Sequence, residues 1–294
     1  MNIRHLRVFT EVCRCGSMSQ AARNLYIAQP SVSQTISELE HHFHIRIFER
    51  YGRSLYLTGE GKKLLEYASH ITSLFDEMEQ TMKADPDHQK LRMGATVTVG
   101  TCLMPQLQQR YQQKFSMLEF NVIVENTREI EKKIASNELD LAIVEGQIEN
   151  TELLQIPVRD DQLMLACGKD HPFFHRTSVI PRQLIGQPMI LREKGSGTRD
   201  IFERQMNELE LPIRERWTCN NAEAIKNAVI HGLGLTVISS LLIRKEVESG
   251  ILHALSISGF HLERTFRLIY HKNKYLSPLM QQVIQQIEQD CKAM

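Results

Sequence analysis

Residues 18–43 read MSQAARNLYIAQPSVSQTISELEHHF, two short apolar periodicities separated by a break. Ser17 is placed to cap a first helix that carries Met18, Ala21, Ala22 and Leu25 on one side. The pattern stops at Tyr26 to Ala28. Pro30 then sits where a first helical turn tolerates it, because that turn has no use for its missing N–H. Val32, Ile36, Leu39 and Phe43 follow at steps of four, three and four, one apolar stripe on a second helix. Two amphipathic helices joined by a tight break predict a helix-turn-helix.

The other face of the second helix carries the functional reading. At about 100° per residue, Pro30, Gln34, Ser37 and His41 lie opposite the stripe, with Ser33 beside them. Gln29 and Ser31 belong to the same first turn. These side chains are short and neutral, able to hydrogen-bond base edges and phosphates in a major groove without clashing. A merely solvated helix would favour Lys and Glu there.

The run SMSQAARNLYIAQPSVSQTISELE resembles the signature of the LysR-type transcriptional regulators, as do LRVFTEV before it and IRIFERYGRSLYLTGEG after it. The resemblance extends over the whole chain and implies a winged helix-turn-helix, a long linker helix and a two-lobed effector domain. It further implies double-stranded promoter DNA with inverted-repeat sites, a homodimer or homotetramer, and activation through contact with RNA polymerase. Gln34 departs from the pattern, standing where many members carry Arg; an amide there replaces a charged contact.

Composition bounds the rest. The 294 residues suffice for two or three domains. A hydrophobic content of 42% with 24% charged residues is ordinary for a globular protein. No apolar run approaches the roughly 18 residues of a membrane span, and MNIRHLRVF lacks a signal-peptide core. The expectation is a cytoplasmic protein with no membrane partner. Net charge is zero, but residues 1–63 hold nine Lys and Arg against five Asp and Glu. A basic head on an acidic body fits a DNA-binding module attached to something else. Six scattered cysteines form no CxxC pair, and His41, His42 and His44 lack a further ligand, so neither metal nor cofactor is expected.

Taken in order, a helix is predicted over Ile3 to Cys15, ended by Gly16. After the helix-turn-helix, Arg50 to Ser54 has the chemistry of a hairpin tip, with Leu55 to Leu57 returning as a strand. Arg50 and Arg53 of this wing are candidates for phosphates or the minor groove. Thr58 can cap a long helix whose Leu64, Ala68, Ile71, Phe75, Met78 and Met82 form a coiled-coil seam. The polar ADPDHQK, 84–90, reads as a hinge. The divisions expected are 1–60, 61–89 and 90–294, with lobe I about 90–161 and 267–294 and lobe II about 162–266.

From Leu91 the texture becomes β-α-β, predicting parallel sheets. The overall class is α/β with an all-α, winged N-terminal part, its body like the periplasmic solute-binding fold. Ligands collect beyond the C-terminal ends of such strands. Thr96, Thr98 and Gly100 lie at one end and Gly197 and Thr198 at another; Asn126, Thr127 and Glu145 lie at further ends. Free helix N-terminal amides favour an anion. A small anionic effector between the lobes is expected, and the resemblance implies the same cleft, matching Thr96, Thr98 and Thr198. No GxxxxGK, HExxH or GxSxG run occurs, so no catalytic residues are assigned. The alternatives are a thiol switch at Cys102 or Cys219 and a two-lobed solute-binding protein. The absent signal peptide and the basic head weigh against the second.

Overall fold

Asn2 opens the first helix by accepting hydrogen bonds from the amides of Arg4 and His5, at 3.0 and 3.3 Å. The computed structural model describes all residues except 52–53, 84–88, 116–117 and 294; side chains 50–51, 54, 80–81, 83, 89 and 293 are also outside the description. Contacts divide the chain into Met1–Pro86 with Ala135–Glu138, and Asp87–Ile134 with Leu139–Met294.

In the first unit, α1 (Ile3–Cys15), α2 (Met18–Asn24) and α3 (Gln29–Phe43) pack on a hairpin of β1 (Phe48–Tyr51) and β2 (Ser54–Leu57), followed by α4 (Gly59–Lys83). Gly16 ends α1 at φ 62, a left-handed position that costs glycine nothing, and its amide reaches Val12 O at 2.9 Å. Ser17 caps α2 through the Gln20 amide. Tyr26, at φ 55, makes the break before α3. Leu6, Phe9, Val12, Ala21, Ala22, Val32, Ile36, Leu39, Ile47 and Ala68 form one buried core. The Phe9 and Phe48 rings meet edge to face at 6.0 Å.

Two expectations need correction here. Phe43, the fourth residue of the predicted stripe, is 38% exposed and lies edge-on to His42. It occupies the last residue of α3, past the end of the head core. The seam on α4 also divides. Leu64 and Ala68 face the head core, and Phe75 lies under the Arg7 guanidinium at 5.5 Å. Ile71, Met78 and Met82 stay exposed together with Tyr67. The two stripes lie side by side, because steps of three and four drift around a 3.6-residue helix.

The second unit begins with β3 (Gln89–Ala95), so Gln89 and Lys90 of the predicted hinge are strand. Then come α5 (Val97–Cys102), α6 (Met104–Lys114), β4 (Leu118–Val124), α7 (Thr127–Ala135), β5 (Leu141–Val144) and the long β6 (Leu153–Gly168). After β7 (Ser178–Val179) follow β8 (Pro188–Leu191), α8 (Gly197–Glu208), β9 (Arg214–Thr218), α9 (Ala222–Ile230) and β10 (Thr236–Ser239). The unit closes with α10 (Ser240–Glu248), β11 (Leu252–Ile257), β12 (Glu263–His271) and α11 (Pro278–Ala293).

Strand β3 runs parallel to β4 and β5, as alternating β and α elements require. β12 pairs antiparallel with both β5 and β6. The early part of β6 thus closes the first lobe, while Leu163 to Gly168 pairs with β10 and β11 in the second. β8 pairs parallel with β9 and bridges to Leu235 at Met189. Each lobe buries its own core, one around Met93, Leu107, Leu141 and Phe266, the other around Leu165, Phe202, Met206 and Leu235.

Candidate functional site

On α3, the surface opposite the buried stripe is formed as the spacing predicts. Gln29, Pro30, Ser31, Gln34, Ser37 and His41 are exposed, and Ser33 is half-buried. Ala28 stands at the N-cap with β-region backbone and no side-chain cap, so the first amides of α3 receive no protein hydroxyl. The face is less neutral than expected. Gln34 Nε2 donates to Glu38 Oε1 at 2.9 Å, and His5 Nε2 lies 3.0 Å from the other Glu38 oxygen. Those two contacts hold the Glu38 carboxyl below its ordinary range. The amide must leave Glu38 to read a base edge. Arg50 lies in β1, opposite Leu55, its side chain outside the description; Arg53 lies outside the described residues.

In the second unit the strand ends converge where the two lobes meet. The chain turns five residues earlier than the strand through Gly100 that the sequence predicts: β3 ends at Ala95, Thr96 stands at the N-cap of α5 without a side-chain cap, and Thr98 falls in the first turn of that six-residue helix. Thr96, Thr98, Thr127, Glu145 and Thr198 are all buried. Thr127 Oγ1 donates to the Glu145 carbonyl at 2.7 Å, pinning the end of β5. Asn126 Oδ1 accepts the Glu129 amide at 3.1 Å and so opens α7. Gly197 lies so close to the first lobe that a Cβ there would stand 2.7 Å from Glu145 O and 2.9 Å from Gly146 Cα. The two lobes therefore touch backbone to backbone. Gly100 is the exception: a Cβ there would strike the Val124 side chain, so its role is packing against β4 and not the cleft.

The residue that joins the set was not foreseen. Arg264, on β12, is 6% exposed. Its Nε donates to Asp161 Oδ2 at 2.7 Å, Nη1 to Thr198 Oγ1 at 2.8 Å, and Nη2 to Thr98 Oγ1 at 3.1 Å. Nη2 also lies 3.1 Å from Glu145 Oε2, as an ion pair without hydrogen-bond geometry. Ser239 Oγ donates to the remaining Asp161 oxygen at 2.6 Å. One guanidinium therefore touches hydroxyls of both lobes and is aimed by a carboxylate from β6. A signal existed in the sequence: Arg264, Phe266 and Leu268 alternate on one strand face, and a charge on the apolar register of a strand requires a partner. Two positions before Thr98 and Thr198, Thr96 Oγ1 and Ser196 Oγ are buried without a hydrogen bond, as is Glu145 Oε2.

The thiols offer less. Burial raises the Cys102 thiol above its ordinary range, with Asp161 adding to the effect, and pushes Cys167 and Cys291 up to about 11 and Cys13 up to about 12. Such thiols are poor nucleophiles near neutral pH. Among the described residues, no group of His, Cys, Asp and Glu is arranged to hold a metal ion, and no helix is long and apolar enough to cross a membrane.

A winged helix-turn-helix joined through a long helix to a two-lobed α/β body is the architecture of a DNA-binding regulator with an effector domain. Residues 3–62 match the model for bacterial regulatory helix-turn-helix proteins of the lysR family, and residues 84–292 match the LysR substrate binding domain. The chain belongs to the LysR family of transcriptional regulators. It is 30% identical to the HTH-type transcriptional activator CmpR of Synechocystis, over 95% of this chain and 92% of that protein. A probable RuBisCO transcriptional regulator of Trichormus variabilis is 34% identical over 96% of this chain and 86% of its own length. Among solved structures, the Synechocystis CcmR regulatory domain in complex with 2-PG superposes with TM-score 0.65 at 28% identity, covering 70% of this chain and 98% of that one. Full-length OxyR from Pseudomonas aeruginosa shares the fold at TM-score 0.64 and 20% identity, over 99% of this chain and 98% of its own.

Proposed function

We propose that this regulator reads promoter DNA with Gln29, Pro30, Ser31, Ser33, Gln34 and Ser37, supported by Arg50 and Arg53 of the wing, and that a small anionic effector bound between the lobes controls it. The observation that carries the effector reading is the Arg264 guanidinium. It spans Thr98 of one lobe and Thr198 of the other, and the buried hydroxyls two positions before each, Thr96 and Ser196, lack partners. A buried cation flanked by free hydroxyls is a receptor for an anion's oxygens. An anion that takes up those donors changes how the lobes meet, and only a ligand with different affinity for the two arrangements shifts the balance. The relatives named as an activator and as RuBisCO regulators, and the relative holding 2-PG, support a small-molecule input and a promoter output.

The exposed stripe of Tyr67, Ile71, Met78 and Met82 on α4 fits a homodimer built on that helix, which would present two reading helices to one face of a duplex. We place the protein in the cytoplasm, with RNA polymerase as its second macromolecular partner.

Thr98→Val tests the central claim. The methyl keeps the shape and removes the hydroxyl. Calorimetry of the full chain with a panel of small carboxylates and phosphates should lose its binding signal, while footprints on the promoter of the protein's own gene stay unchanged. Binding that survives the substitution moves the effector elsewhere.

A further inference from the structure

Two acids lie on α3, and the structure uses them differently. Glu40 Oε1 accepts the Ile47 amide at 2.8 Å and fixes the chain beyond the helix. Glu38 faces outward, its side chain 51% exposed. It stands about 40° around the helix from Gln34 and about 6 Å further along, so it belongs to the reading face. Both of its oxygens are engaged, Oε1 by Gln34 Nε2 at 2.9 Å and Oε2 by His5 Nε2 at 3.0 Å. His5 is fixed in turn from the start of α1. The Asn2 N–H points at its Nδ1 at 3.1 Å, which leaves the proton of a neutral ring on Nε2. Asn2 Oδ1 stands 2.7 Å from Nδ1, an acceptor for the second proton of a charged ring. In both states Nε2–H donates to Glu38. One carboxylate oxygen is thus anchored by a neighbouring helix, and the other is held by an amide that reading DNA would remove.

We propose that Glu38 is a base-specificity residue, requiring cytosine or adenine on one given strand within about two base pairs of the base that Gln34 reads. This rests on α3 lying in the major groove as proposed above, and it adds a contact to that reading. Once Gln34 turns to a base edge, Glu38 Oε1 has lost its donor while His5 keeps the carboxylate in place. A charged oxygen carried into the groove needs a replacement donor. The bases offer one at cytosine N4 and at adenine N6, whereas guanine N7 and O6 and thymine O4 are acceptors. A base amine therefore takes the place of the amide. Guanine or thymine instead sets lone pairs against a negative charge. The four-residue step from Gln34 to Glu38 spans about 6 Å, close to two base-pair steps of about 3.4 Å. A carboxylate near phosphates weakens binding to any duplex, so its contribution here is selectivity and not affinity.

The test incubates the full chain with a pool of random-sequence duplexes at moderate salt and sequences those bound. It is run for the wild type, Glu38→Ala, Glu38→Gln and Gln34→Ala. The wild type should show one position that holds C or A on a given strand, beside the position that Gln34→Ala relaxes. Glu38→Ala should relax the first position alone, its preference for C or A over G or T falling by about tenfold or more, the worth of one well-made base contact. Duplexes with G or T there should bind more tightly than they bind the wild type, since a repulsive charge is gone. Glu38→Gln should admit all four bases, because an amide both donates and accepts. Should Glu38→Ala fail to fold, Glu38→Gln, which keeps the shape, decides. Glu38 variants that keep every preference while Gln34→Ala relaxes one overturn the role of Glu38 and leave the reading helix standing. A Glu38-dependent position that holds G or T in the wild type overturns that role as well. Preferences indifferent to both residues, or no preference in the wild type, overturn both.

Discussion

At the scale of single residues, the N-terminus of α3 is where a small change should be most legible. Ala28 already holds the β-region backbone of an N-cap, φ −72 and ψ 138, yet offers no side-chain oxygen to the first turn. Ala28→Ser supplies one. The expected gain is about 1 kcal/mol, within the range of N-cap substitutions, read as a rise in the urea midpoint at unchanged slope. An unchanged midpoint would show that the α3 amides are satisfied by water as well as by a hydroxyl. The contrast with Asn2 and Ser17 is instructive, because both of those caps accept backbone amides, and Ser17 was read as one from residue type alone.

At the scale of elements, α4 is the one whose surface does not close on itself. Its 25 residues extend about 38 Å at 1.5 Å per residue. One stripe is used by α1 and the head core. The adjacent stripe exposes Ile71 at 46%, Met78 at 50% and Met82 at 78%. Changing Ile71 and Met78 together to Glu places two charges on that stripe without touching the head core. Sedimentation should then report a chain of half the wild-type mass or less, with far-ultraviolet dichroism preserved. An unchanged mass would put the subunit contact elsewhere. Periodicity alone merged these two stripes into one seam, since it registers that a helix face is apolar but not which neighbour takes it. The same limit explains Phe43, whose apolar character is real and whose position lies beyond the core it was assigned to.

At the scale of the whole second unit, lobe contact depends on two glycines. Gly146 has φ 93, and Gly197 approaches it with no room for a side chain. Gly197→Ala would force a methyl against the Glu145 carbonyl, and backbone cannot yield as a flexible side chain does. The expected result is a loss of about 1–3 kcal/mol, as for overpacking in a dense interior, together with loss of the calorimetric response to the acids that bind the wild type. Retained response would show that lobe contact at this point is dispensable.

The sequence by itself determined the local elements and the family. Short-range spacing sets which face of a helix is apolar, and capping residues act within three or four positions, so α1, α2, α3 and the β-α-β alternation could be read directly. The turn after β3 was misjudged by a few residues, because threonine and valine suit a strand and α5 is imposed by the strand it packs beside. Only the tertiary structure decided the cleft. Arg264 meets Thr198, Asp161 and Thr98 across 66, 103 and 166 residues of chain. Those partners are brought together by two strands that cross between the lobes, and no local pattern encodes where such a crossing delivers a side chain.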